Sequence, residues 1–143
     1  MIKYLLDTNI WSEAIKPGPN EHVMSMLEKH QHEIATGSPI WHELRYGCAR
    51  LPGSRRREKI ETYLEEVIQN NVDILPYDES AAEWHARERA RLMLMGLTPA
   101  FVDGQIAAIA KVNGLILVTR NAADFENFDD LAVENWFIEL PGP

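Results

Sequence analysis

The sequence predicts an α/β sandwich in which a largely parallel central sheet is flanked by helices. Short apolar runs of strand length alternate along the chain with longer segments that have helical periodicity, which is the pattern of strand-helix-strand units. With 143 residues, of which 45% are hydrophobic and 25% charged, the chain is predicted to form one domain that spans residues 1–143.

The first strand is predicted at residues 2–6, a short and mostly apolar run. It is broken at once by residues 7–9, Asp-Thr-Asn, so the carboxyl end of a buried strand carries a polar cluster. A helix is predicted over residues 10–15, where a Lys-Pro-Gly-Pro run ends it, and a second helix covers residues 20–30.

The second strand is predicted at residues 33–36, before a helix whose start is indicated by Ser38 and Pro39. Serine is expected to cap this helix, and proline fits its first turn. Glu43 then falls in the first or second turn. The following helix is amphipathic, because its apolar residues recur at the spacing of one helical face: Ile60, Tyr63, Leu64, Val67 and Ile68.

The second half of the chain continues the alternation. A third strand is predicted at residues 72–75, followed by a helix that opens at Asp78 and is closed by Gly96 in the C′ position. Residues 102–112 are rich in Ala and Ile on nearly all sides, which predicts a buried helix, and a buried strand follows at 115–118. Ligands of such sheets bind beyond the carboxyl ends of the strands, so functional residues are expected there.

Composition limits the location of the protein and its cofactor chemistry. Cys48 is the single cysteine, which excludes an intramolecular disulfide and a cysteine-rich metal site, and we expect it to be packed in the core.

No apolar run approaches the roughly 18 residues that cross a bilayer, and no signal peptide is recognised, so a cytoplasmic protein without a membrane segment is expected. The net charge of −8 is unusual for a nucleic-acid binder, but a site that gathers carboxylates around divalent cations would account for part of it.

Acidic residues fall where the predicted architecture places function. Asp7 follows the first strand, Asp103 begins the buried helix, Asp124 follows the last predicted strand, and Glu43 is a fourth candidate. A carboxylate at the head of an apolar helix is costly to desolvate unless a base or a metal pairs with it. Taken singly, each residue keeps an alternative: Asp103 as a helix cap, Asp7 as a turn residue, and the other two as solvated charges.

Four motifs occur in order: residues 6–9 (LDTN), 43–47 (ELRYG), 103–108 (DGQIAA) and 119–125 (TRNAADF). Together they resemble the motif set of the PIN-domain family, and more closely that of its VapC toxins. The resemblance covers nearly the whole chain and implies a PIN-like sandwich. One departure is that Phe101 and Val102 make the approach to Asp103 more apolar than the family pattern.

The resemblance implies an acidic pocket whose catalytic carboxylates hold one or two Mg²⁺ or Mn²⁺ ions: Asp7, Glu43, Asp103 and Asp124. It also implies that Thr119 and Asn121 are polar residues supporting them. These ions prefer oxygen ligands and keep several waters, so carboxylates suffice. The implied function is that of a metal-dependent endoribonuclease that hydrolyses RNA with a metal-activated water. It would be the toxin of a VapBC-type pair, expected to form a homodimer and to be held inactive by a cognate VapB-type antitoxin.

Two other functions fit an acidic pocket, namely a non-catalytic module that binds a basic peptide and a metal-dependent DNA nuclease. Two basic clusters could guide phosphates: residues 55–57 with Arg50 and Lys59, and Arg87 with Arg89 and Arg91. The alternative for each is a solvated face balanced by glutamates. Trp11 and Trp41 could stack on a base, with core or dimer packing as the alternative. His30 and His32 lack a third metal ligand, so a solvated helix end is expected there.

Overall fold

The computed structural model describes residues 1–139, and residues 140–143, the end of the predicted domain, lie outside that description. The strands are β1 (Tyr4–Leu6), β2 (Ile34–Gly37), β3 (Asp73–Leu75), β4 (Ile116–Val118) and β5 (Val133–Glu134). The helices are α1 (Thr8–Ile15), α2 (Glu21–Lys29), α3 (Ser38–Ala49), α4 (Arg55–Tyr63), α5 (Glu79–Leu94) and α6 (Phe101–Val112). A π-helical segment, Leu64–Gln69, continues α4, and a 3₁₀ turn covers Ala122–Phe125.

The five strands of the described chain form one parallel sheet in the order β3-β2-β1-β4-β5. β1 is central, since Leu5 pairs with Ala35 of β2 and Leu6 pairs with Val118 of β4. The predicted α/β class with a parallel central sheet is confirmed. The sequence prediction missed β5, because a strand of only two residues has no apolar run or alternation that could indicate it.

The core lies between the sheet and the helices. All three residues of β1 are buried, as expected for a central parallel strand with no solvent-facing side. In α6 the buried positions occupy nearly every side of the helix: Gly104, Ile106, Ala107, Ala108, Ile109 and Ala110. Burying one Leu or Ile side chain contributes about 1.5–3 kcal/mol, so these buried positions hold the body of α6 against the sheet.

The start of α3 differs from the prediction. Gly37, the last residue of β2, holds the N-cap position, and Ser38 is already helical. The Ser38 hydroxyl instead accepts a hydrogen bond from the Tyr77 backbone N–H at 3.3 Å. The predicted serine cap was therefore wrong, because the strand runs into the helix without a loop. At α5 the prediction is confirmed, since the Asp78 carboxylate accepts from the Ala81 N–H at 2.9 Å.

Several side chains with open alternatives are packed into the core. Trp11 is 1% exposed and its indole N–H donates to the Thr36 hydroxyl at 3.3 Å, so it does not stack on a base. Cys48 is buried, as expected. The solvated position expected for His30 was wrong, because its ring lies 4.8 Å from that of Tyr4 and 5.6 Å from that of Trp136. Within residues 1–139, no helix combines the length and the apolar character needed to cross a membrane.

Candidate active site

Polar side chains gather at the carboxyl ends of the neighbouring strands β1 and β4. Asp7 follows β1 and Thr119 follows β4, and the Asp7 backbone N–H donates to the carbonyl oxygen of Val118 at 2.9 Å. Parallel neighbours end at the same edge of a sheet, so two residues that are 112 positions apart become direct neighbours. The site lies where the fold class places ligands.

The Asp7 carboxylate is buried and held at both oxygens. Only 7% of the residue is exposed. Oδ2 accepts from the Thr119 hydroxyl and Oδ1 accepts from the Thr8 backbone N–H, each at 2.8 Å. Asp7 is also the N-cap of α1, so the turn alternative describes part of its role, while the contact with Thr119 orients the carboxylate across the sheet edge.

The Thr119 hydroxyl connects both loops of the site. It donates to Asp7 and accepts from the Asn9 side-chain amide at 3.2 Å and from the Asn121 backbone N–H at 3.1 Å. A hydroxyl has one donor and two acceptor positions, so this group is saturated. Asn121 contributes its backbone rather than its side chain. Asn9 was not among the site residues predicted from sequence, although it belongs to the polar cluster of residues 7–9 that follows the first strand.

Asp103 stands in the first turn of α6 without capping that helix. The N-cap position belongs to Ala100, and no side chain hydrogen-bonds to the helix start. The capping alternative for Asp103 is therefore wrong. The residue is partly buried at the head of a largely apolar helix, which is the costly arrangement that suggested a metal or a basic partner.

Three carboxylates act on one another through their charges. Burial, followed by the charges of Asp124 and Asp7, raises the pKa of Asp103 to about 6. Burial also raises the pKa of Asp7, although the hydrogen bonds from Thr119 and Thr8 oppose this effect, and the charge of Asp124 adds to it. Asp124 itself is exposed in the 3₁₀ turn. Asp7, Asp103 and Asp124 thus form one electrostatic cluster, here called the aspartate cluster.

Glu43 is not brought into the aspartate cluster. Its side chain is 52% exposed on α3, and Oε1 lies 3.9 Å from His42 Nδ1. Its charge is not among those that shift the pKa of Asp7 or Asp103. The charges of three of the four carboxylates that the sequence singled out thus act on one another, whereas the fourth lies on a helix that contacts both α1 and α6.

The donor set suits a hard divalent cation. Within residues 1–139, no group of three or more His, Cys, Asp or Glu side chains is arranged to hold a metal ion. Mg²⁺ keeps several waters and is commonly held by only one or two carboxylates, so a cluster of this kind fits it without a closed cage of protein ligands. A bound cation would also offset the mutual repulsion within the aspartate cluster.

In both basic clusters, a member pairs with a glutamate. Arg57 Nε lies 3.1 Å from Glu61 Oε1, and Arg91 Nη2 lies 2.8 Å from Glu88 Oε1. Glu88 is 7% exposed, whereas the Arg91 side chain is 41% exposed, so only the carboxylate of the second pair is withdrawn from water. The alternative of a solvated face balanced by glutamates therefore describes Arg57, whereas Arg91 pairs with a glutamate that is buried.

A parallel α/β sheet with the aspartate cluster at its carboxyl edge is the arrangement that the resemblance to the PIN-domain family implied. The sequence profile of the PIN domain matches residues 4–131, and the chain belongs to the PIN domain family. It is 36% identical to Toxin FitB of Neisseria gonorrhoeae over 135 residues. These residues cover 92% of this chain and 97% of that protein. It is 33% identical to the tRNA(fMet)-specific endonuclease VapC of Shigella flexneri, over 95% of this chain and 99% of that protein.

The same relationship appears in the fold. The crystal structure of a DNA-bound VapBC from Salmonella typhimurium superposes with a TM-score of 0.83 at 31% identity, and the match covers 95% of this chain and 99% of that one. The resemblance that the four motifs indicated is confirmed.

Proposed function

We propose that this protein is a metal-dependent endoribonuclease and the toxin of a VapBC-type toxin–antitoxin pair. The observation that supports the proposal most directly is the aspartate cluster at the carboxyl edge of β1 and β4, in a PIN domain that aligns over nearly its full length with a toxin and with a VapC endonuclease. Relatives that assemble as VapBC support an antitoxin partner for this chain. We extend the proposal to a homodimer, as expected for the family.

The chain's own residues provide a fixed acidic platform. Asp7 and Asp103 are proposed as the main carboxylates that hold Mg²⁺ or Mn²⁺, with Asp124 and Glu43 binding the ion or its waters. When bound, the ion would supply a water of lowered pKa and positive charge beside the phosphate. The Thr119 hydroxyl and the Thr8 N–H hold the two oxygens of Asp7, so this ligand needs little reorganisation.

The proposed reaction is hydrolysis. The water oxygen attacks phosphorus, the bond from phosphorus to the 3′-oxygen breaks, and the products carry a 3′-hydroxyl and a 5′-phosphate. The net charge of −8 makes the free protein a poor match for RNA, and occupation of the aspartate cluster by divalent cations would reduce the repulsion where the strand must approach.

Parallel digestions test this function. Purified protein is incubated with RNA and with DNA in Mg²⁺, in Mn²⁺ and in EDTA, and Asp7→Asn is compared with Asp73→Asn, an exposed aspartate of β3. We expect metal-dependent cleavage of RNA that is lost in Asp7→Asn and kept in Asp73→Asn. Cleavage confined to DNA would indicate the DNA nuclease instead. A folded protein that binds a basic peptide and cuts neither polymer would indicate the non-catalytic module.

A further inference from the structure

His85 is a buried imidazole that the proposed reaction does not use. It lies on α5, is 4% exposed, and its Nδ1 is 2.8 Å from the hydroxyl of Tyr77. The two rings meet nearly edge to face, with centroids 5.8 Å apart. Burial lowers the pKa of His85, and the charge of Arg89 acts in the same direction, so both favour the neutral form of the ring. Tyr77, from the segment after β3, therefore holds a neutral ring in one orientation.

The imidazole also lies against the first turn of α6. A β-carbon placed on Gly104 would overlap the ring of His85, with Nε2 as the closest atom. Glycine inside a helix costs about 1 kcal/mol relative to alanine, so its presence here calls for a packing reason, and the close approach of His85 is that reason. Gly104 directly follows Asp103, so the contact bears on the turn of backbone that carries the carboxylate.

Phe101 covers another part of the imidazole. The centroids of the Phe101 and His85 rings are 4.8 Å apart, and the Arg89 guanidinium carbon lies 5.3 Å from the centroid of Phe101. Phe101 is the first residue of α6 and, with Val102, is one of the two apolar residues that depart from the family pattern. The phenyl ring of Phe101 therefore packs on His85, which explains why an apolar residue stands at this position.

The same group of contacts reaches α3. The Tyr77 backbone N–H donates to the Ser38 hydroxyl in the first turn of α3, and the Tyr77 phenol bonds to His85. A continuous series of contacts therefore runs from the start of the helix that carries Glu43 to the start of the helix that carries Asp103.

We propose that His85, held by Tyr77 and covered by Phe101, is a positioning residue that fixes the first turn of α6 and with it the Asp103 carboxylate. The match in size between the imidazole and Gly104 determines how closely α5 and α6 approach at this end. His85 acts through the backbone of α6 and does not itself contact substrate. The inference depends on the proposed function only for what Asp103 does once it is positioned.

A double-mutant cycle tests the proposal with two measurements. Wild type, Gly104→Ala, His85→Ala and the double variant are compared by the amide NMR shifts of residues 101–105 without metal, and by kcat and KM for RNA. We expect Gly104→Ala to move these amides and to lower kcat by about tenfold or more, with KM nearly unchanged, because misplacement by about 1 Å is costly. In the His85→Ala background the added methyl group should have little further effect, because its space has been vacated.

A control separates positioning from general loss of stability. Leu92→Ala removes a fully buried side chain near the other end of α5, so it should lower Tm while leaving kcat and the amides of residues 101–105 unchanged. If Gly104→Ala does not fold, Tyr77→Phe replaces it in the cycle, since it removes only the hydroxyl. We expect it to lower kcat in wild type and not in the His85→Ala background.

The outcomes are distinguishable. Strictly additive effects in the cycle, or a His85→Ala or Gly104→Ala protein whose 101–105 amides are unmoved, would overturn the positioning role. A wild type that cuts no RNA would overturn the proposed function alone, because the NMR comparison still decides whether His85 sets the first turn of α6.

Discussion

At the scale of single residues, Asp7 and Asp103 differ in the hydrogen bonds that stabilise their charged carboxylates. Asp7 accepts hydrogen bonds at both oxygens, whereas Asp103 is partly buried at a helix start that no side chain caps. We expect Asp7→Asn and Asp103→Asn each to lower RNA cleavage by at least about a hundredfold, because each removes a proposed metal ligand and its stabilisation of charge. Single-turnover rates at saturating Mg²⁺, with circular dichroism to check folding, measure this. A well-folded variant that cuts nearly as fast as wild type would remove that residue from the site.

The raised pKa of Asp103 makes stability depend on pH in the absence of metal. The group titrates at an ordinary 3.8 in the unfolded chain and at about 6 in the folded one. Its contribution to stability is therefore full below pH 3.8 and is lost as the pH rises through about 6. Asparagine does not ionise, so a protein with asparagine at position 103 does not lose this stability as the pH rises. In EDTA above pH 7, we expect Asp103→Asn to be more stable than wild type by about 1 kcal/mol, after allowing for partial exposure.

Calorimetry of both proteins at several pH values measures that difference, which should shrink as the pH falls from 6 towards 3.8. Millimolar Mn²⁺ should raise the Tm of wild type by several degrees and raise that of the variant much less, because a ligand of the native state stabilises by mass action. Equal metal-induced shifts in both proteins would mean that Asp103 does not help to hold the ion.

Among the elements, α5 is joined to the chain beyond the 3₁₀ turn by an ion pair whose carboxylate is buried. The Glu88 carboxylate accepts from Arg91 Nε and Nη2 at 2.8 Å and from the Asp129 backbone N–H at 2.7 Å. Arg91 also donates to the Asn127 carbonyl oxygen at 2.8 Å. Since Glu88 is buried, Arg91→Met would leave a carboxylate with one remaining partner, and we expect the free energy of unfolding to fall by about 2–3 kcal/mol.

Urea unfolding at pH 7 measures this loss, with Arg87→Met on the exposed side of the same helix as the control. The hydrogen bonds from Arg91 lower the pKa of Glu88 below its ordinary 4.5. Its contribution is therefore present above pH 4.5 and is lost as the pH falls, so the difference between variant and wild type should narrow in acid. A difference that is constant from pH 7 to pH 3.5 would contradict this account of the pair.

For the whole molecule, the proposed role as a toxin makes a cellular prediction. Expression of the chain alone should arrest growth, and co-expression of a cognate antitoxin from the neighbouring gene should relieve the arrest. Asp7→Asn, expressed to the same level, should be harmless because the arrest requires catalysis. Colony counts after induction measure this, with immunoblots to match the protein levels. Unimpaired growth with soluble, folded wild type would count against the toxin assignment.

The fold class could be predicted from sequence because the signals involved are local, whereas the candidate site residues were singled out by where the predicted strands and helices end and by the resemblance of four motifs to the PIN-domain family. Apolar periodicity over a few residues distinguishes a strand such as β1 from a helix such as α6. Strand ends in a parallel sheet share one edge, so Asp7 and the segment that carries Asp124 could be placed together once strands were assigned. Caps such as Asp78 could be predicted for the same reason, since the donor and the acceptor lie within one turn.

Contacts between distant parts of the chain required the folded structure. Three such contacts are the hydrogen bonds of the Thr119 hydroxyl, the hydrogen bond from Tyr77 to Ser38 and the close approach of His85 to Gly104. Each joins segments that are far apart in sequence, and no local pattern indicates that they meet. The exposed position of Glu43 and the raised pKa of Asp103 likewise depend on what surrounds them in space. Local periodicity determines which elements form, whereas close packing between elements determines which side chains meet and how their charges are compensated.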